Sequence, residues 1–323
     1  MFSKYELLYL IKILDYYESG LVRIIKYYLK TYTYDESNYI LLKELVNLWC
    51  KGKVKTVIKY YGHISHLDIS KLTNIKELFK FKNYFNEDIS RWDVSNVTNM
   101  VGLFFRADSF NQPINNWDIS NVINMDSMFI NTLKFNQPLD SWNLANVTDM
   151  SNMFYNTQSF NQPLDSWDVS NVTDMRYMFC GAVKFNKSIE SWDVSSVTNM
   201  IGMFNSAHNF NQPIGLWDVS CVTCMMSMFY KANNFNQPIG SWNVSNVTNM
   251  NSMFSNTNDF NQPIGSWDVS NVTDMYSMFF DTKRFNQPLD KWNVSKETNT
   301  INMFSFATNF NKYNIEWFFK HNQ

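Results

Sequence analysis

Phe160-Asn161-Gln162-Pro163-Leu164-Asp165-Ser166-Trp167-Asp168-Val169-Ser170-Asn171-Val172-Thr173-Asp174-Met175 decides the architecture, because it returns every 25 residues without slippage. The tryptophans alone mark the period: Trp92, Trp117, Trp142, Trp167, Trp192, Trp217, Trp242, Trp267, Trp292 and Trp317, with Leu67 in the same phase one period earlier. Self-similarity at a fixed period of about 20–50 residues is the signature of a repeat array. Residues 67–316 therefore read as ten repeats, preceded by residues 1–66 and followed by residues 317–323.

Counting each repeat from its tryptophan as offset 0, the apolar columns are nearly invariant. Offset 2 is Val, Ile or Leu in all ten repeats, offset 12 is Phe in all ten, and offset 18 is again Phe in all ten. Offset 8 is Met in eight repeats and offset 11 is Met or Leu throughout. In the repeat that starts at Trp92, the inward set Val97, Met100, Leu103, Phe104 and Ala107 has helical spacing, which predicts a short helix, partly 3₁₀, over offsets 6–14. Phe-Asn-Gln-Pro-Ile/Leu at offsets 18–23 predicts a short extended segment, since proline forbids helix and lacks a ladder donor. Asp-Val-Ser at offsets 1–3 predicts a tight turn.

Each repeat then contributes one short strand and one short helix or 3₁₀ turn. The expected fold class is an α/β repeat solenoid, roughly 50 Å long if neighbouring strands are about 4.8 Å apart. Upstream, apolar residues recur at helical spacing over 4–30, then over 39–50 and 54–61, with Gly52 and Gly62 as stops. Residues 1–66 are expected to form an N-terminal helical cap, and Trp317-Phe318-Phe319 to fold back over the last repeat, because an open repeat end exposes apolar side chains.

Composition narrows the function classes. Apolar residues make up 45% of the 323 and charged residues only 17%, which excludes a disordered chain. The net charge of −2 argues against a nucleic-acid partner of the ordinary basic kind, although residues 1–66 carry +4 and the rest −6. Charges at Lys4, Glu6, Lys12, Asp15 and Glu18 interrupt every candidate signal core, and no run of 18 apolar residues offers a membrane span. Four cysteines do not make a disulfide framework in a chain of this size. An intracellular setting is expected.

The recurring Phe-Asn-Gln-Pro-Ile/Leu, Trp-Asp-Val-Ser-Asn-Val-Thr-Asn/Asp-Met and Met-Phe motifs resemble the BspA-type leucine-rich-repeat family, including the mycoplasma lipoprotein-like domain of unknown function. The resemblance covers residues 67–316. The lead-in Leu45-Val46-Asn47-Leu48-Trp49, followed by Tyr61-Gly62-His63-Ile64-Ser65, is similar to segments that precede such repeats in giant-virus and algal proteins. The family implies a curved leucine-rich-repeat solenoid, and its bacterial members include surface adhesins. A surface or virion-surface adhesin exported without a recognisable signal is thus the alternative to an intracellular scaffold.

No constellation in the sequence carries catalysis or a cofactor. Cys221-Val222-Thr223-Cys224 has the spacing of half a zinc site, but both residues fall on columns that elsewhere hold Asn or Asp. The Asp/Asn column at offset 1 could suggest calcium, yet free exchange of Asp for Asn suits turn capping better than ion binding. Asn111, Asn136, Asn161, Asn186, Asn211, Asn236, Asn261 and Asn286, all at offset 19, are expected to point inward and bond the backbone of adjacent repeats as a ladder. Offsets 9, 13, 14, 16 and 17 vary freely. Phe105, Ile130 and Tyr155 at offset 13, with Arg106 and Lys134 beside them, form a candidate surface for a protein partner. The same column can instead pack against the neighbouring repeat. Either way, the expected activity is that of a non-enzymatic interaction scaffold.

Overall fold

The computed structural model describes residues 32–315. The helix expected over 4–30 and the fold-back of Trp317-Phe318-Phe319 lie outside those residues. Two helices precede the repeats, α1 (Tyr39–Cys50) and α2 (Val54–Tyr61), and Gly52 and Gly62 follow them with φ of 79° and 87°. Each later 25-residue period lies alongside the next in parallel register, with single bridges running Asn74–Asn99, Asn99–Asn124 and onward to Asp274–Asn299.

Between residues 67 and 311 the backbone forms neither helix nor extended strand, which corrects both expectations for the repeat. A run of β-turns stands where the short helix was expected. In the Trp92 coil, Leu103, Phe105 and Ala107 donate their N–H groups to the carbonyls of Met100, Gly102 and Phe104. The alternate N–H groups, of Met100, Gly102, Phe104 and Arg106, donate to Asn124, Asp126, Met128 and Ile130 of the next coil at 2.7–3.1 Å. A helix would point all of them along its own axis. Here offsets 10 and 14 take positive φ, as at Gly102 (58°), Asn131 (55°), Asn152 (56°) and Asn156 (53°). Left-handed residues end helical propagation and suit the third position of a type II turn. The turns Met100–Leu103 and Phe104–Ala107 each begin and end on an inward side chain, and that three-residue span imitates helical spacing.

No strand forms at offsets 18–23 for a related reason. The offset-19 N–H bonds to a side chain, and Pro at offset 21 has no N–H, so a backbone ladder cannot propagate. The side-chain ladder is regular. Asn111, Asn136, Asn161, Asn186, Asn211, Asn236, Asn261 and Asn286 each accept, through Oδ1, the backbone N–H of the asparagine 25 residues later, at 2.9–3.0 Å. These asparagines sit at the coil edge, half-buried or exposed, rather than among the inward phenylalanines. Further amides join them: Gln162 and Gln237 reach back to Asn136 and Asn211.

Inside, side chains stack in columns. The offset-12 and offset-18 phenylalanines pair within a coil, as Phe104 with Phe110 at 3.9 Å, and stack between coils, as Phe104 with Phe129 at 5.5 Å. Every tryptophan from Trp92 to Trp292 is buried, and its indole N–H donates to a carbonyl 28 residues earlier, as Trp192 does to Leu164 at 2.8 Å. Buried threonines at offset 15 are satisfied in the same way, Thr157 Oγ1 donating to the Phe129 carbonyl. Burial of three aromatic and some five aliphatic side chains per coil is the main stabilising force, at about 1.5–3 kcal/mol for each fully buried side chain.

The N-terminal segment supplies what a preceding coil would. In later coils the offset-6 threonine N–H donates to the carbonyl of the threonine one period before, as Thr198 does to Thr173. Thr73 has no such predecessor; its N–H and Oγ1 donate to Glu36 Oε1, as does the Asn74 N–H, at 2.8–3.1 Å. Tyr34 N–H bonds to the Asp68 carbonyl, the Tyr39 hydroxyl to the Lys76 carbonyl, and the Trp92 indole to Ile64.

Two outcomes follow from this register. Asn186→Ala removes the acceptor of both Asn211 N–H and Gln212 Nε2, and is expected to lower stability by about 1–3 kcal/mol. An unchanged midpoint in chemical denaturation would contradict the ladder. Gly202, at φ 56°, has room for no side chain because an added Cβ would lie 2.3 Å from the Tyr177 ring of the preceding coil. Serine occupies the same left-handed position at Ser227, Ser252 and Ser277, so the ring and not the backbone forbids it. Gly202→Ser should cost about 1–3 kcal/mol alone and much less in a Tyr177→Ser background. Additive effects in that double-mutant cycle would refute the contact.

Candidate functional site

The residues singled out in the sequence fall on one side of the coils, but not as a single open stripe. Phe105 and Ile130 are half-buried and Tyr155 is exposed at 36%. Phe105 lies edge-on to Phe81 of the preceding coil at 5.5 Å, with the Lys80 ammonium 5.1 Å from its ring. Tyr155 lies edge-on to Tyr177 at 6.4 Å. Its hydroxyl interacts with the buried Cys180 thiol, which pushes the phenol upward, while burial pushes Cys180 up to about 11. Offset 13 thus packs partly against adjacent coils and partly faces solvent.

Arg106 is exposed and holds φ 53°, which sends its N–H to Ile130 of the next coil. Lys134 is exposed too, but it lies in the later Thr132–Phe135 turn, where its N–H bonds to the Asp108 carbonyl. The structure therefore brings Phe105, Arg106 and Ile130 together and sets Lys134 around the corner.

The exposed aromatic surface extends past the residues that the sequence pointed to. Phe81 and Tyr84 of the first coil are 57% and 93% exposed, at offsets 14 and 17. Phe306, Ile301 and Tyr276 form a second exposed group at the other end, with Phe306 edge-on to Phe280 at 5.2 Å. The signal that could have found them is the composition of their columns, which elsewhere are dominated by small, polar or charged residues.

The offset-1 column is occupied by local bonds. Asp118, Asp168, Asp218 and Asp268 each accept, on Oδ1, the N–H of the serine two residues on; in Asp118, Asp168 and Asp268 the serine hydroxyl donates as well. Asn243 makes the same pair of contacts with Ser245, which accounts for Asp and Asn alternating freely. Among the described residues no group of three or more His, Cys, Asp or Glu is placed to hold a metal ion. Cys221 is exposed and Cys224 half-buried, and both are free thiols. Cys224 takes the bridge position between Asn199 and Asn249, and Cys221 stands where Asn246 and Asn271 donate to the preceding coil. No helix among the described residues is long and apolar enough to cross a membrane.

In-register 25-residue coils define a repeat protein whose conserved-phase side chains build the frame and whose intervening columns form the surface. The chain belongs to the family described as mycoplasma protein of unknown function, DUF285, which matches residues 50–167, 154–257 and 237–323. No curated protein matches the chain.

The capping carboxylates give a pH dependence. Hydrogen bonds from serine hydroxyl and backbone hold Asp118, Asp168, Asp218 and Asp268 below the usual aspartate range. A depressed folded pKa adds stability above the unfolded value of about 3.9, and that stability is lost as pH falls through the folded value. Changing all four to Asn should leave stability near neutral pH almost unchanged and flatten its loss below about pH 4. Identical acid-unfolding curves for the variant and the parent would rule out this contribution.

Proposed function

We propose that this chain is a non-enzymatic protein–protein interaction scaffold, a leucine-rich-repeat-like solenoid that holds variable surface columns in fixed register for a protein partner. The division of labour within each coil carries this reading. Offsets 0, 2, 5, 8, 11, 12, 18 and 22 are buried almost without exception, and offsets 4, 6, 7 and 19 are engaged in inter-coil bonds. Offsets 9, 13, 14, 16 and 17 vary in residue type from coil to coil; some copies are buried or bonded between coils, as Ser151 is to Asp126 and Asn156 to Asn131, and others are the exposed Phe81, Tyr84, Tyr155, Tyr276, Ile301 and Phe306. Aromatic side chains held on a rigid frame lose little entropy on binding and are favoured as interface anchors.

In the finer form of this proposal the repeats are of the BspA-type leucine-rich kind, in a member of giant-virus or algal type that works inside a cell. The motif resemblance supports the first part.

The test uses Phe105→Ser/Tyr155→Ser as bait beside the parent protein. The variant is expected to keep its circular dichroism spectrum and to lose the partners that the parent recovers. Recovery of the same partners in the same yield would remove this column from the binding surface.

A further inference from the structure

A cleft of about 580 Å³ opens between the C-terminal end of α1 and the first coil. Trp49, Val54, Phe81, Tyr84 and Phe85 supply its apolar walls, and Lys51, Lys82 and Glu87 its charges. Two of these aromatics lie outside the buried core, although Phe81 meets the Phe105 ring edge-on at 5.5 Å. Tyr84 is 93% exposed, and Phe81 is 57% exposed while holding φ 60°, a conformation that a bulky side chain avoids. The equivalent positions in the next eight coils are Arg106, Asn131, Asn156, Gly181, Ser206, Lys231, Asn256 and Asp281 for Phe81, and Ser, Lys, Asn, Asp or Arg for Tyr84. Backbone preference and packing both disfavour Phe81, and local strain of this kind gathers at sites with a use.

Charge specifies the occupant. Lys51 and Lys82 line the cleft from its two sides, and Lys53 and Lys55 follow Lys51 at the start of α2. None of these four has an ion-pair partner among the described residues. Lys80, paired with Glu77, lies 5.5 Å over the Phe81 ring. The single carboxylate in the wall, Glu87, is occupied by the Trp49 indole at 3.3 Å and lies 3.9 Å from His63 Nε2. We propose that this cleft docks an acidic peptide segment of a partner protein, with a large apolar side chain seated between Trp49, Phe81 and Tyr84 and flanking carboxylates on the lysines. The proposal rests on the scaffold reading and names the partner's chemistry at one end of the chain. Aromatics among lysines could also stack single-stranded nucleic acid, but residues 67–323, which would have to line a longer track, carry a net −6.

The experiment titrates the full chain against fluorescent peptides in which a tryptophan–leucine pair is flanked by aspartates and glutamates. Versions with lysine flanks, or with alanines at the centre, serve as controls, beside an oligo-dT strand. The acidic peptide should bind at least about tenfold more tightly than any control. Phe81→Asn/Tyr84→Ser should weaken it about tenfold or more while Tm stays equal or rises, because Asn suits the left-handed backbone. Lys51→Glu/Lys82→Glu should turn the preference toward the lysine-flanked peptide. Equal binding of all peptides, tighter binding of the oligonucleotide, no binding of the acidic peptide, or undiminished binding by Phe81→Asn/Tyr84→Ser would each overturn the proposal. If one of these occurs while Phe105→Ser/Tyr155→Ser still loses its partners, the cleft assignment fails and the scaffold reading stands.

Discussion

The structure depends on one backbone arrangement: left-handed residues at offsets 10 and 14 turn alternate N–H groups out of their own coil and toward the next. Without them, the segment from Met100 to Ala107 would close its hydrogen bonds internally and leave nothing to join it to the Trp117 coil. With them, half the donors close local turns and half cross to a carbonyl 24 residues on in the next coil. That crossing fixes the register, because a slip by one residue would set each crossing N–H against a residue whose carbonyl already closes a local turn, as Met125 does with Met128. Gly and Asn, which adopt positive φ at least cost, fill some of these positions, as at Gly102, Asn131 and Asn156, while Ser227, Arg106, Tyr177 and Lys231 hold the same conformation within the same register.

Once the register is fixed, each side chain meets its own copies. Phe stacks on Phe, the Trp indole finds the same carbonyl in each coil, and asparagine amides repeat at offset 19. Such stacking makes stability a sum over neighbouring coils, so an end coil is the weak point. The segment before Leu67 meets that need with specific groups. Glu36 presents a carboxylate where a preceding carbonyl would be, and Ile64 offers the carbonyl that the Trp92 indole requires. Ion pairs contribute little to the frame, since Arg176–Asp174 and Arg284–Asp259 are both at the surface.

The frame leaves little freedom to the buried and ladder columns, so chemical variety concentrates elsewhere. The ends of the array depart most from it. Phe81 and Tyr84 at one end, and Phe306 with Ile301 at the other, place apolar side chains in solvent, with Phe81 and Phe306 at positive φ. Neither the hydrogen-bond register nor the core has a use for them, which separates them from the half-buried Phe105 and Ile130 of the coils between.

The sequence by itself determined the period, the buried columns, the two helices before the repeats and the identity of the asparagine ladder. These were legible because in-register stacking makes every position face its own copies, which confines each column to one chemistry. It did not determine how each coil is built. The three- and four-residue spacing of Val97, Met100, Leu103 and Ala107 belongs equally to a helix and to successive β-turns, and only the positive φ at Gly102 and Arg106 separates the two. The Gly, Asn and Ser residues frequent at offsets 10 and 14 held that hint. The placement of Glu36 against Thr73, the division of Phe105 and Lys134 between two sides of a corner, and the cleft joining Trp49 to Tyr84 belong to the tertiary structure alone. Each joins residues that no repeat relates, so no periodicity in the chain could record them.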